Sequence, residues 1–164
     1  LQDRVLVIGE NLSIRRFVRY EGDCVSYVHG GGRIGVLVHF EADAAASGSA
    51  ALEECGKDVA MQIAALNAAY LDKSTVPAEA IEKEKEILIA QIKNDPKNAN
   101  KPEAIIQKMV DGRIGKFYEN NCLMQQAFVK NGDITVEQYV AEKAKEAGGA
   151  MKVDAFVRLS LIHI

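Results

Sequence analysis

The sequence predicts an α+β domain: an antiparallel sheet with helices packed on one face and an inserted antiparallel helical hairpin. Three observations predict it. Short stretches of period-two alternation are separated by glycine turns, with the clearest turn at Gly30-Gly31-Gly32. Two apolar stripes at helical spacing, within residues 77–120, flank a polar breaker. A capping box, Thr135-Val136-Glu137-Gln138, then opens a further helix ahead of a last alternating stretch.

In chain order, Leu1, Val5 and Ile8 stand at i, i+4 and i+7, which reads as the last turns of a helix already under way, stopped by Gly9. A short strand over Val5–Ile8 is the alternative. Leu12, Ile14, Val18 and Tyr20 alternate with Ser13, Arg15 and Arg19, predicting a first strand with one wet face. Glu21-Gly22-Asp23 turns the chain into a second strand, Cys24–His29, and the triple glycine into a third, Arg33–Phe40. Ser49 caps a helix whose stripe is Leu52, Cys55, Val59, Ile63 and Leu66. Pro77 and Glu79 suit the first turn of the next, with Ile81, Leu88 and Ile92 on one face. Nine mostly polar, turn-forming residues, Asn94–Pro102, break the chain before a helix carrying Ile106, Val110, Ile114 and Phe117. These stripes either cover each other or need cover from outside. After the capped helix (Val136, Tyr139, Val140 and Ala144 inward) and Gly148-Gly149, the alternation of Met151, Val153, Ala155, Val157 and Leu159 predicts a fourth strand.

Composition narrows the function. With 164 residues and 48% hydrophobic content the chain buries a real core, and its net charge of −3 offers no broad basic face for nucleic acid or an anionic membrane. Apolar runs such as Ile34–Phe40 are too short to span a bilayer. Cys24, Cys55 and Cys122 make neither a metal pattern nor a disulfide framework, so they read as small buried hydrophobes in a reducing cytoplasm. No cofactor is expected. The triple glycine joins two strands and lacks a following Gly-Lys-Ser/Thr, so it is not a phosphate loop. His29, His39 and His163 have no metal spacing, and the Glu79–Glu86 run interleaved with Lys83 and Lys85 is a solvated helix face. His29 stands out: ending a strand beside a glycine turn, it is exposed at a sheet rim, as a partner contact or as a turn residue without a duty. Arg15, Arg16 and Arg19 are likewise either a solvated strand face or part of an interface.

Seven phrases resemble the elongation factor Ts family in order and spacing. They are Ile8-Gly9-Glu10-Asn11-Leu12-Ser13-Ile14-Arg15-Arg16, Glu21-Gly22-Asp23, the stretch Ser26–Val38 with Tyr27-Val28-His29-Gly30-Gly31-Gly32-Arg33 inside it, Asp58–Ala65, Pro77–Glu84, Lys108–Arg113 and Cys122–Val129. The resemblance implies a factor that binds elongation factor Tu and promotes GDP release, without being an enzyme. It also implies that residues 1–22 end one core subdomain. Residues 23–76 and 121–159 form the second subdomain, and 77–120 are its inserted hairpin, which can serve in homodimerisation. By the family's Tyr-x-His-Gly-x-x-Arg phrase, Tyr27, His29, Gly30 and Arg33 would lie at or near the contact with a β-domain of Tu. Ile8, Gly9, Glu10 and Asn11 would lie near the contact with its GTPase domain. The family's Thr-Asp-Phe segment, which disturbs the nucleotide site, does not occur in these 164 residues, and Ser160–Ile164 depart from the family's Gly-Glu-Gly continuation and are expected to be foreign. A non-enzymatic adapter or dimerisation module of the same fold is the alternative.

Overall fold

The computed structural model describes residues 1–98 and 101–161. Its elements are α1 (Gln2–Ile8), β1 (Asp23–His29), β2 (Ile34–Ala42), α2 (Ala50–Leu66), α3 (Ala78–Asn94), α4 (Glu103–Asn121), β3 (Ala127–Phe128), β4 (Asn131–Thr135), α5 (Val136–Ala147) and β5 (Met151–Ser160). The main sheet is antiparallel in the order β1-β2-β5, and α2 and α5 pack on one face of it. The fold class is therefore the one the alternation and stripes predict.

Val25, Val36, Val38 and Phe40 point from the sheet into Leu52, Cys55, Val59 and Ile63 of α2 and Val136, Tyr139 and Val140 of α5. Ser49 caps α2, its hydroxyl accepting from the Leu52 N–H at 3.1 Å. Thr135 and Gln138 complete the capping box of α5, which stops at Gly148 in the left-handed conformation, φ 72°. The second glycine of that pair serves a different need. A Cβ at Gly149 would collide with Asp43, whose carboxylate accepts from the N–H groups of Ala150 at 2.8 Å and of Ala45 and Ala46 at 3.0 Å. Those bonds, that from Ala150 first, hold the Asp43 carboxyl below its ordinary pKa and tie the end of β2 to the start of β5.

Two polar residues on α2 face inward. Asp58, 6% exposed, accepts from the Tyr139 hydroxyl at 2.8 Å and from Lys130 Nζ at 2.6 Å. Burial, and then the bond to Asp58, push the tyrosine pKa up. Gln62, fully buried, donates to the Ala127 carbonyl at 3.0 Å and to Gln126 Oε1 at 3.2 Å, and accepts from the Val129 N–H at 2.8 Å. Every polar group of these side chains that faces the core has a partner, which is the condition for burying it.

The structure corrects the sequence reading of the strands in three places. Leu12–Tyr20 form no strand: the segment has no ladder partner among the described residues, and Ile14 and Phe17 are 67% and 82% exposed. Alternation supplies a face, but a strand also needs a neighbour for its backbone groups. Second, β5 does not alternate continuously. A bulge opposite His39 and Phe40 leaves Asp154 without a counterpart, so Ala155, Val157 and Leu159 pair with His39, Leu37 and Gly35 on the outer face, while Phe156 and Arg158 take the inner rows of Val38 and Val36. Third, the β3–β4 ribbon, whose turn is Val129-Lys130, is missing from the sequence reading.

The α3–α4 hairpin has a core of its own. Leu88, Ile92, Ile106, Val110 and Ile114 are buried together, with Ile81, Ile89, Met109 and Tyr118 along the edges. Tyr118, rather than the expected Phe117, closes the cluster, because i+4 from Ile114 stays on the stripe as i+3 drifts off it. Of the polar breaker Asn94–Pro102, Ala99 and Asn100 lie outside the described residues. At the hairpin's base, the N–H groups of Ala69 and Tyr70 donate to the Asn121 carbonyl at 2.9 and 3.1 Å, and the Leu123 N–H donates to the Tyr70 carbonyl at 2.9 Å. The two ends of the insertion are thereby pinned side by side.

Two predictions follow from this packing. A Cβ at Gly56 would fall on the Val25 side chain. Gly56→Ala gains up to about 1 kcal/mol in helix propensity and loses about 1–3 kcal/mol to overpacking. A net loss is expected in urea unfolding, and Val25→Ala should reverse its sign in the double variant. Replacing residues 77–120 by a short Gly/Ser linker is expected to leave one cooperative thermal transition, because the hairpin's apolar cluster is separate from the main core. A broad, non-cooperative melt would show that the hairpin is part of that core.

Candidate functional site

The rim where β1 passes into β2 is built by the triple glycine. Gly30, Gly31 and Gly32 have φ of 62°, 67° and 95°, so all three need the left-handed region that a side chain disfavours. The ladder continues up to that turn, His29 pairing with Ile34 and Ile34 with Ser160. Beyond it, the Leu161 N–H donates to the Arg33 carbonyl at 3.0 Å. The rim is thus a tight turn on a hydrogen-bonded base.

Tyr27 and His29, two apart on β1, project from the same face. The tyrosine hydroxyl lies 2.9 Å from His29 Nδ1, and the rings are tilted by 36° with centroids 5.9 Å apart. When the hydroxyl donates to Nδ1, the Nε2–H is left pointing outward as a free donor on a ring whose rotation is restricted. His29 is exposed and Tyr27 half-buried, so the pair has an apolar base and a polar tip. Gly30 sits against Arg33: a Cβ there would be 3.7 Å from the arginine's own Cβ. These four residues are therefore brought together.

Ile8, Gly9, Glu10 and Asn11 form a separate group. Gly9 caps α1 in the left-handed conformation, φ 76°, its N–H donating to the Val5 carbonyl at 2.8 Å. Ile8 is 55% exposed, and Glu10 and Asn11 are exposed after it. No hydrogen bond, ion pair or ring contact joins this group to Tyr27, His29 or Arg33 among the described residues. The chain between the two groups is anchored at Tyr20, whose ring lies 5.5 Å from that of His39; His39 Nδ1 in turn lies 2.9 Å from Asp154 Oδ2.

Sequence reasoning missed Arg158. The bulge in β5 puts it opposite Val36, in the cross-strand row of Tyr27, and its Nε is buried without a hydrogen-bond partner among the described residues. Only the register shift places it there, and alternation alone gives no signal of that. The cysteines are unsuited to nucleophilic work. Burial pushes the Cys55 thiol up to about 12 and raises Cys122 and Cys24 as well. Among the described residues, no three His, Cys, Asp or Glu side chains converge as a metal site would require, and no helix is long and apolar enough to cross a membrane.

Comparisons with known proteins place the chain in a family. Residues 1–162 match the family described as Elongation factor TS. Elongation factor Ts of Clostridium botulinum strain Eklund 17B is 50% identical over 154 residues, 92% of this chain and 48% of that protein. The C. botulinum ATCC 19397 protein is 45% identical over 161 residues, 96% of this chain and 50% of its own length. That of Clostridium kluyveri ATCC 8527 is 46% identical over 154 residues. The chain spans about half the length of these curated relatives. With a match that runs nearly from end to end, the chain belongs to the elongation factor Ts family.

Proposed function

We propose that this chain binds elongation factor Tu through the Tyr27–His29–Gly30–Arg33 rim and takes part in guanine-nucleotide exchange during translation elongation. The observation that carries the reading is the hydrogen bond between Tyr27 and the exposed His29 beside a tight glycine turn, in a chain of this family. The action is binding rather than catalysis: a ring N–H donor, an aromatic edge and an arginine suit a protein surface, and no nucleophile accompanies them. Ile8, Gly9, Glu10 and Asn11 form a second contact near the GTPase domain. The factor works in the cytoplasm without cofactor, nucleic acid or membrane, and the α3–α4 hairpin offers a second surface for homodimerisation.

An exchange factor can shift the GTPase only by the difference in its affinity for the nucleotide-free and GDP-bound forms. The Thr-Asp-Phe segment, expected to supply most of that difference, is absent from these residues. We therefore assign to the rim mainly uniform affinity for both forms.

Two measurements test this. His29→Ala is expected to change folding stability by less than about 0.5 kcal/mol, as exposed sites do. Its calorimetric affinity for elongation factor Tu should fall by about 1–2 kcal/mol. Unchanged affinity would leave His29 as a turn residue without a role. In stopped-flow release of a fluorescent GDP analogue from Tu, saturating chain is expected to accelerate release poorly and to compete with an intact factor. A release rate equal to that of the intact factor would place the exchange function within these residues, with Ile8–Asn11 the first to examine.

A further inference from the structure

One face of the rim carries charge that the described residues around it leave uncompensated. Arg15 and Arg16 line an open groove of about 570 Å³ together with Gly32, Arg33 and the end of β5. Arg15 and Arg16 come from the segment before β1, and Arg33 from the turn after the triple glycine, so the fold gathers them from positions 17 or more residues apart. No Asp or Glu lines the groove, and none of the three guanidiniums makes an ion pair among the described residues. Arg19, on the same segment, shows the contrast, being neutralised by Glu21 at 2.7 Å.

Three like charges around one groove repel one another, and they do so on a chain whose net charge is −3. A carboxylate seated among them relieves that repulsion, and arginine's planar fork pairs with carboxylates in two parallel bonds. Gly32 and Arg33 belong both to this groove and to the rim that ends in His29, so one partner can cover both. We propose that the Arg15–Arg16–Arg33 groove is a docking site for an acidic segment of elongation factor Tu, adjoining the contact made by His29. The inference rests on the reading of the rim as a Tu-binding surface and extends that surface across the edge of the sheet. A nucleic acid is the poorer occupant, since a long polyanion would meet the net negative charge of the rest of the chain beyond the groove.

The test uses the whole 164-residue chain and a clostridial elongation factor Tu, with affinity followed as a function of salt. Arg15→Gln, Arg16→Gln and Arg33→Gln combined are expected to keep the wild-type melting temperature, since all three side chains are exposed. Affinity at low ionic strength should fall about tenfold or more, chiefly through slower association, and most of its salt dependence should vanish. The matching triple lysine variant, which keeps the charge and loses the fork, should retain the salt dependence and recover part of the affinity. If the glutamine variant binds Tu as the wild type does while His29→Ala binds more weakly, the groove proposal fails and the rim reading stands without its Arg33 contact. If neither variant changes binding, or the wild type does not bind, both fail. Loss of affinity for a single-stranded RNA oligonucleotide with Tu binding unchanged would assign the groove to nucleic acid and overturn the proposal.

Discussion

The close approach of α2 to β1, made at Gly56, is the constraint on which the rest depends. With no side chain at that position, the helix axis comes down onto Val25, and the inner valines of β1 and β2 interdigitate with Leu52, Cys55, Val59 and Ile63. A glycine in mid-helix weakens the helix by itself, so its presence here marks a packing need stronger than the loss of propensity. Because α2 sits so low, its next two turns bring Asp58 and Gln62 to a depth where each must find partners inside the protein. Those partners come from the β3–β4 ribbon and from Tyr139 on α5. One short contact thereby fixes the register of three other elements.

This also explains what could be read from the sequence and what could not. Helices with a strong stripe and a side-chain cap, α2 and α5, were legible because their signals are local: Ser49 and Thr135 act within three residues of themselves. The β3–β4 ribbon was not, because its turn, Val129-Lys130, has no turn chemistry of its own. Val129 is held by Gln62 and Lys130 by Asp58, residues more than sixty positions earlier. The same division runs through the candidate site. The exposure of His29 was legible because the triple glycine beside it predicts a tight, exposed turn. Arg158 was invisible, since its face depends on a bulge that only strand pairing reveals.

Leu12–Tyr20 show the opposite failure. The pattern of a half-buried strand is present, yet the chain there packs by single anchors such as Tyr20 against His39 and leaves Phe17 and Ile14 largely in solvent. Period two tells which residues would share a face if the segment were extended; it does not supply the neighbouring strand that would bond its backbone.

The rim itself shows why a sheet edge suits a holding contact. A two-stranded turn would fray on its own, but here β5 runs past it and Leu161 bonds to the Arg33 carbonyl, so the glycine turn rests on three strands rather than two. The glycines accept a backbone path closed to other residues, and the hydrogen bond between Tyr27 and His29 limits the motion of the exposed ring. Preorganisation of this kind lowers the entropy that an association costs, so more of an interaction shows as affinity. Rigidity of this kind favours every form of a partner that presents the same surface. A contact that discriminates between two states of a GTPase must instead touch something that moves between them. A rigid rim is for that reason suited to holding rather than to discrimination.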